Sequence, residues 1–246
     1  MEPIYRQTLK LSDLHVDCTG RLRPSAILYL AQEAATQHCK ELSLDWETLA
    51  EKGLFWAVLR HRVQITRLPN RDETITVETW PMPTTRSAFP RSTRAVDKNG
   101  NELFRCVSLW VLMDIEKRTM VLPGKSGVIV EGALRGTELA VPGSIVPKVM
   151  ECQRSRYVSF TDLDRNLHMN NTRYLDWIAD LLPAQFHQEH PLREFVLCYL
   201  SEAREAEEIT LHWQLTDGPC LEVEANRQPR QGEEKPSRVF SAQLLF

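Results

Sequence analysis

An internal repeat is the sequence feature that most restricts how this chain folds. An ungapped shift of 147 residues places residues 17–30 on residues 164–177 and pairs Asp17 with Asp164. In each half, apolar residues at helical spacing begin within the repeated segment and continue beyond its end. They are Ile27, Leu30, Ala31 and Ala34 in the first half, and Tyr174, Trp177, Ile178 and Leu181 in the second. Each half is therefore predicted to open with one helix that faces its core.

After each predicted helix the apolar period changes to two. In the second half Ile209, Leu211 and Trp213 alternate with polar residues, and a second alternating run covers residues 221–226. The strands predicted in the first half cover residues 54–68, 73–80, 87–97 and 102–114. Such alternation is typical of half-buried antiparallel strands. Residues 102–114 are apolar on both faces, which predicts a central strand or one covered on both sides.

A helix wrapped by an antiparallel sheet, made twice in one chain, is the double hot dog arrangement, an α+β architecture of two tandem units. Five of the ten glycines lie within residues 123–147, together with several prolines. We therefore predict an N-terminal unit at 1–122, a linker at 123–147 and a C-terminal unit at 148–246.

The composition is that of an ordinary globular protein: 246 residues, 42% hydrophobic and 26% charged. A net charge of −3 without a dense basic tract argues against nucleic acid as the main partner. The start of the chain has no apolar signal region and no apolar run is long enough for a membrane span, so a cytoplasmic location is predicted. The six scattered cysteines form no CxxC pair, which predicts mostly buried free thiols.

The stretch DLDRNLHMNN, residues 162–171, places polar side chains at every second position: Asp162, Asp164, Asn166 and His168. It begins like a calcium loop, but such a loop needs a glycine at position six and a glutamate at position twelve, where this chain has Leu167 and Arg173. No metal site is predicted. Asn170 or Asn171 is expected to cap the following helix, and the remaining polar groups leave a functional site open.

The segment DLDRNLHMNNTRYLDW, residues 162–177, resembles the D-L-D-x-N-x-H-V-N-N-x-x-Y-x-x-W signature of the acyl-acyl carrier protein (acyl-ACP) thioesterases of plants and bacteria, with Met169 in place of the usual Val. GLFWAVLRHRVQITRLP, ETWP and SLWVLMD in the first half resemble other recurrent stretches of that family. The resemblance implies a double hot dog fold. It also implies hydrolysis of the thioester between a fatty acyl chain and the phosphopantetheine arm of acyl carrier protein, which releases free fatty acid and ends chain elongation.

Carried over residue by residue, the family's functional positions fall on Asp164, Asn166, His168 and Glu202. Plant members have a Glu-Cys pair where this chain has Glu202 followed by Ala203, so the cysteine once considered a nucleophile is absent. No cofactor is predicted.

These residues can support hydrolysis without a protein nucleophile, since no GxSxG elbow is present. Water is the predicted nucleophile, with His168 or Glu202 removing its proton. The Asn166 amide and N–H groups at the start of the following helix would polarise the carbonyl, and Asp164 would orient a neighbour. A purely structural, hydrogen-bonded His168 is the alternative. Cys198 lies four strand residues from Glu202, roughly 13 Å at about 3.3 Å per residue, which argues against a cysteine nucleophile.

The first half lacks this constellation, because Thr19 and Arg21 stand at the positions of Asn166 and His168. One catalytic site per chain is predicted. The first half is expected to shape an acyl pocket with Phe55, Trp56 and the helix face at residues 27–35, although ordinary core roles are the alternative for each.

Acyl carrier protein is acidic, so a surface that binds it is expected to be basic. The clusters considered are Arg60, His61, Arg62, Arg67 and Arg71, and separately Arg86, Arg91 and Arg94. The alternatives left open are an acyl-CoA thioesterase, a hydratase of the same fold and a non-catalytic acyl-thioester sensor. Monomer and homodimer are both compatible with a double hot dog, and the homodimer is favoured.

Overall fold

The computed structural model describes residues 4–246, which form two compact units that divide between Pro142 and Gly143. Among these described residues no helix combines the length and apolar character that crossing a membrane requires.

Each unit contains one antiparallel sheet and short helices. The first unit comprises β1 (Tyr5–Lys10), α1 (Pro24–Glu41), α2 (Trp46–Ala50), β2 (Leu54–Ile65), β3 (Thr74–Pro81), β4 (Phe89–Asp97), β5 (Glu102–Asp114), β6 (Met120–Val121) and α3 (Pro123–Ser126). The second unit comprises β7 (Cys152–Tyr157), a 3-10 turn (Phe160–Asp162), α4 (Arg173–Ala179), α5 (Ala184–Glu189), β8 (Glu194–Tyr199), β9 (Glu208–Thr216), β10 (Cys220–Arg227) and β11 (Ser237–Leu245).

The two sheets have the same topology. The strand order is β1-β3-β4-β5-β2 in the first unit, where β6 also pairs with β5, and β7-β9-β10-β11-β8 in the second. Counted from the first strand of its own unit, each sheet therefore reads 1-3-4-5-2. This confirms the internal duplication and the α+β double hot dog fold. It also confirms the central placement of β5, which pairs with both β2 and β4.

The core helix of the first unit is α1. Pro24 occupies the start of the helix, where its missing N–H costs nothing. The stripe predicted from the sequence, Ile27, Leu30, Ala31 and Ala34, is buried. Full burial of a side chain such as Ile27 contributes about 1.5–3 kcal/mol, so this face provides much of the attachment of α1 to its sheet.

The core-facing helix predicted in the second unit is present, and it is much shorter than α1. α1 has 18 residues, whereas α4 has 7 and ends at Ala179. Pro183 disfavours helical backbone at Leu182, and a new short helix, α5, begins only after it. Leu181 is buried as predicted, but it lies beyond the end of α4.

The glycine-rich segment expected to be a linker begins with α3, and residues 127–151 contain no further helix or strand. Part of this segment packs on the first unit. Trp80 Nε1 donates a hydrogen bond to Glu138 Oε1 at 3.0 Å, Arg105 donates to the carbonyl of Thr137, and Leu139 is buried. The linker at 123–147 and the unit boundaries drawn from it stay predictions.

The six cysteines are free thiols, as expected, but the prediction that most are buried is wrong. Cys106 and Cys198 are buried, Cys39 and Cys220 are partly buried, and Cys18 and Cys152 are exposed. Cys18 lies in a loop and Cys152 begins β7, an end strand in the order of its unit, so neither location provides cover.

Candidate active site

The repeated segment of the second unit begins with a turn held by Asp162. Its Oδ2 accepts the backbone N–H of Ser159 at 3.0 Å and completes a capping box for the 3-10 turn. Its Oδ1 lies 3.3 Å from the donor Trp177 Nε1. These bonds fix the start of the loop, and Asp162 itself is buried. Asp162 therefore has a structural role.

Asp164 organises the tight turn that follows. Its Oδ1 accepts the backbone N–H of Asn166 at 2.7 Å and that of His168 at 3.3 Å. The N–H of Asp164 donates to the carbonyl of His168 at 2.8 Å, and Leu167 adopts a left-handed conformation with φ of 61°. The carboxylate thus fixes the backbone on both sides of Leu167.

The structure brings His168 and Glu202 together. His168 Nε2 lies 3.1 Å from Glu202 Oε2, with 19% and 36% of the two side chains exposed. A β-bridge between His168 and Arg204 and a 2.9 Å bond from the Met169 N–H to the carbonyl of Ala203 align the two segments. The pair is therefore partly desolvated and held by backbone contacts on both sides.

Two arginines that the sequence did not indicate lie beside this pair. Arg204 Nη2 is 4.0 Å from Glu202 Oε2, and Arg230 Nη2 donates to the carbonyl of Glu202 at 2.7 Å. Arg230 also pairs with Glu207. Burial raises the pKa of Glu207, but the hydrogen bonds from Arg230 and from the Arg204 N–H outweigh it and bring that pKa below its usual value. No motif marks either arginine, because the contacts join distant parts of the chain.

Asn166 lies on the exposed side of the turn, between Asp164 and His168 in sequence. N–H groups at the start of the following helix were predicted to polarise the carbonyl. For the N–H groups of Thr172 and Arg173 this prediction is wrong. Thr172 N–H donates to Asn170 Oδ1 and Arg173 N–H donates to the Asn170 carbonyl, both at 2.9 Å. These two donors are therefore already satisfied by Asn170, although the N-cap residue of α4 is Thr172, whose side chain makes no capping bond.

The first unit repeats this loop without its functional side chains. Asp17 Oδ1 accepts the Thr19 N–H at 2.7 Å, Gly20 has φ of 76°, and the Asp17 N–H donates to the Arg21 carbonyl. The Leu22 N–H donates to the carbonyl of Pro69, just as that of Met169 does to Ala203. The residue before Pro69 is Leu68, at the position of Glu202. The backbone of the loop is therefore duplicated, while its amide, imidazole and carboxylate are not.

Other sequence candidates lie elsewhere or have ordinary roles. Cys198 is buried in β8 with its thiol 3.8 Å from the carbonyl of Gly143. Trp56 packs edge-to-face on Phe89 at 5.0 Å and its Nε1 donates to the carbonyl of Leu44. These are core contacts, and the acyl pocket in the first unit stays a prediction.

Each of the two basic clusters considered contains a buried member, so neither lies wholly on the surface. His61 is buried against Ser108 Oγ, and burial lowers its pKa to about 3. Arg91 is buried and donates to His38 Nδ1 at 3.1 Å. Three further arginines of the clusters form ion pairs with carboxylates: Arg67 with Glu73, Arg71 with Asp13 and Arg94 with Glu78. In β2 the burial of His61 follows from strand alternation, since His61 points to the face opposite to that of Arg60 and Arg62.

Across residues 4–246 no group of three or more His, Cys, Asp and Glu side chains is arranged to hold a metal ion.

The duplicated 1-3-4-5-2 sheets and the imidazole–carboxylate pair of His168 and Glu202 define a double hot dog protein whose second unit carries the candidate site. The family model described as the acyl-ACP thioesterase N-terminal domain matches residues 2–122. The model of the acyl-ACP thioesterase C-terminal domain matches residues 148–236. The chain belongs to the acyl-ACP thioesterase family.

Among curated relatives, dodecanoyl-[acyl-carrier-protein] hydrolase, chloroplastic, of Cinnamomum camphora is 26% identical over 214 residues, which cover 81% of this chain and 56% of that protein. Palmitoyl-acyl carrier protein thioesterase, chloroplastic, of Gossypium hirsutum is 23% identical and covers 81% of this chain and 52% of that protein. The chain therefore spans just over half the length of these relatives.

Solved structures share the fold over the full chain. An acyl-ACP thioesterase from Bacteroides thetaiotaomicron has a TM-score of 0.86 with 22% identity, covering 99% of this chain and 98% of that one. The 12:0-ACP thioesterase from Umbellularia californica has a TM-score of 0.82 with 22% identity, covering 100% and 97%. At this identity the likeness shows the fold.

Proposed function

We propose that this protein hydrolyses the thioester of fatty acyl-acyl carrier protein and releases a free fatty acid. The observation that carries the proposal is the 3.1 Å contact between His168 Nε2 and Glu202 Oε2. An imidazole beside a carboxylate is suited to take a proton from water and to return it later in the reaction. Both residues occupy positions that resemble functional positions of the family.

In the first step, water attacks the carbonyl carbon of the thioester, and its proton passes to the His168–Glu202 pair. We assign the general base to the pair as one unit, because His168 Nε2 and Glu202 Oε2 lie within hydrogen-bond distance of each other. Glu202 also stabilises the imidazolium if the proton rests on His168. The charge of Glu202 is balanced by Arg204 at 4.0 Å, and Arg230 fixes its backbone.

The attack forms a tetrahedral intermediate with negative charge on the former carbonyl oxygen. The amide N–H₂ of Asn166 is the proposed donor to this oxygen, a contribution of about 10²–10³-fold in rate. Collapse of the intermediate breaks the C–S bond, and the pair returns its proton to the departing sulfur. The products are the fatty acid and the free thiol of the carrier's phosphopantetheine arm. Asp164 supports both steps by fixing the turn that carries Asn166 and His168.

The carrier protein as partner is supported by the family and by the relatives, whose names specify acyl carrier protein substrates. We retain the cytoplasmic location as part of the proposal, together with a role in fatty acid biosynthesis.

The test is release of free thiol from acyl carrier protein loaded with saturated chains of increasing length. The variants are His168→Ala, Asn166→Ala and Glu202→Gln, each checked for native circular dichroism. We expect losses of about 10²–10⁴-fold for the base pair and about 10²–10³-fold for Asn166. The matched control is Arg21→Ala, at the equivalent position of the first unit, which is expected to retain activity.

The same assay with matched acyl-CoA substrates separates the carrier-protein thioesterase from an acyl-CoA thioesterase. Faster hydrolysis of the CoA thioester would reject the carrier protein as the preferred substrate. Binding of the loaded carrier without any thiol release would reject the enzyme and favour a sensor. Equal activity of native protein and folded His168→Ala would reject the proposed site.

A further inference from the structure

Leu167 is an unusual residue for its position. It adopts φ of 61°, in the left-handed region that disfavours side chains with a Cβ, and leucine gains no local hydrogen bond there. Its side chain is 71% exposed, so burial does not offset this cost. Asn166 and His168 flank it, on a turn whose backbone Asp164 fixes.

The first unit shows that the turn does not need leucine. Gly20 occupies the equivalent position with φ of 76°, between the same kind of backbone bonds. Glycine adopts this conformation without steric cost. A strained, exposed leucine is thus present only in the copy that carries His168 and Asn166, which points to a role of its side chain outside the fold.

Leu167 is one of three exposed apolar side chains on the segments that carry the candidate pair. Phe160, 80% exposed, lies in the 3-10 turn at the start of the loop, and Leu200, 43% exposed, lies two residues before Glu202. We call Phe160, Leu167 and Leu200 the apolar rim. The His168–Arg204 bridge and the Met169–Ala203 hydrogen bond join the segments that carry these side chains, and exposed apolar side chains on the segments of a site are typical of a surface that contacts a partner.

The cation next to the apolar rim suits an acidic partner. Arg204 is bridged to His168 through the backbone and its side chain is 54% exposed. Among the described residues its carboxylate contact is Glu202, at 4.0 Å. By contrast, Arg67 and Arg94 pair with Glu73 and Glu78 at 2.7–2.8 Å. Arg204 can therefore bind an external carboxylate at little cost, whereas those arginines would first lose an existing partner.

We propose that the apolar rim and Arg204 form the docking surface for acyl carrier protein at the mouth of the site. This rests on the proposed function, because the carrier must deliver its thioester to the His168–Glu202 pair. The apolar rim supplies desolvated contact and Arg204 pairs with the acidic surface of the carrier. Leu167, held by its turn, presents its side chain in a fixed position and loses little freedom on binding.

The experiment compares two substrates with the same acyl chain: the carrier-bound thioester and the thioester of N-acetylcysteamine, which lacks the carrier. For Leu167→Gly we expect the ratio of kcat/KM on the carrier substrate to that on the small substrate to fall about tenfold, mainly through KM. Tm is expected to rise by about 2–4 °C as the strain is removed. Arg204→Gln is expected to lower the ratio and to weaken its dependence on salt. The control, Leu215→Ala, removes an exposed leucine from β9 and is expected to keep the native ratio.

An unchanged ratio in Leu167→Gly would overturn the docking surface, as would an equal loss on both substrates. A change of oligomeric state in Leu167→Gly, measured by sedimentation, would assign the apolar rim to a second copy of the chain instead. If the native protein hydrolyses neither substrate, the proposed function fails, and docking is then judged by calorimetric titration with carrier protein that bears a non-cleavable C12 thioether. About tenfold weaker binding by Leu167→Gly would support the docking surface, and equal binding would reject it.

Discussion

Removal of the Asp164 carboxylate tests whether the turn positions the proposed site. In Asp164→Ala two backbone donors, the N–H groups of Asn166 and His168, lose their acceptor at 2.7 and 3.3 Å. At a net 0.5–1.5 kcal/mol for each bond, the variant is expected to lose about 1–3 kcal/mol of unfolding free energy, toward the lower end because the loop is partly exposed. A displacement of about 1 Å at the reacting groups lowers the rate by about 10²-fold.

The duplicated loop supplies a matched control. Asp17 accepts the N–H and the hydroxyl of Thr19, at 2.7 and 2.6 Å, so Asp17→Ala removes bonds of the same kind in a copy without the His–Glu pair. We expect both alanine variants to lose similar stability in urea unfolding. In the thiol-release assay, only Asp164→Ala is expected to lose about 10² in kcat/KM.

Asp164→Asn retains an acceptor oxygen and is expected to recover most of the activity lost in Asp164→Ala. This rescue distinguishes a positioning residue from one whose charge takes part in the reaction. The reasoning is refuted if Asp17→Ala slows hydrolysis as much as Asp164→Ala does. It is also refuted if Asp164→Ala stays within about threefold of native kcat/KM, since a misplaced site is expected to cost far more.

Further predictions concern the pair, the core and the packed segment. Glu202→Gln keeps a hydrogen-bond acceptor but removes the carboxylate, so kcat is expected to fall about 10²–10⁴-fold while circular dichroism stays native; a fully active variant would exclude Glu202 from the base. Burial lowers the pKa of His61 to about 3 from an ordinary value of 6.5, so the stability that the neutral imidazole contributes is present above pH 6.5 and is lost, by up to about 5 kcal/mol, as pH falls toward 3. In urea unfolding between pH 7 and 4, the unfolding free energy of the native protein is expected to fall with pH more steeply than that of His61→Gln, by about 1.4 kcal/mol per pH unit. Equal slopes for the two proteins would contradict this prediction. A Cβ at Gly132 would lie 2.1 Å from the carbonyl oxygen of Met82, whereas one at Gly143 meets nothing within 4 Å. Gly132→Ala is therefore expected to lower the free energy of unfolding by about 1–3 kcal/mol, and Gly143→Ala is expected to lower it much less. Equilibrium unfolding of the two variants measures the difference.

Periodicity in the sequence predicted the fold well because both sheets bury one face. Ile27 and Leu30 on α1 and the alternating residues of β9 follow directly from helical and extended spacing. The apolar pattern does not show where the second helix ends, because the stripe continues through Leu181, although Pro183 already signals a break. Here local backbone chemistry outweighs the apolar pattern.

The candidate site was harder to predict than the fold from the spacing of residues in the sequence. Nothing in the spacing between His168 and Glu202 indicates a 3.1 Å contact, and Glu202 was chosen by family resemblance. Arg204 and Arg230 were missed for the same physical reason, since strand pairing and a distant loop bring them to Glu202. The surface charge of the basic clusters could not be predicted either, because ion pairs such as Arg94 with Glu78 form across strands and do not show in one segment.

The measurement that tests the central claim most directly is single-substrate kinetics of thiol release from C12-acyl carrier protein by native protein and folded His168→Ala. The account predicts native kcat/KM at or above about 10⁴ M⁻¹s⁻¹ and a loss of about 10²–10⁴-fold in the variant, with one fatty acid formed for each thiol. Thiol release by the native protein no faster than the uncatalysed background, or an equally active His168→Ala, would contradict it.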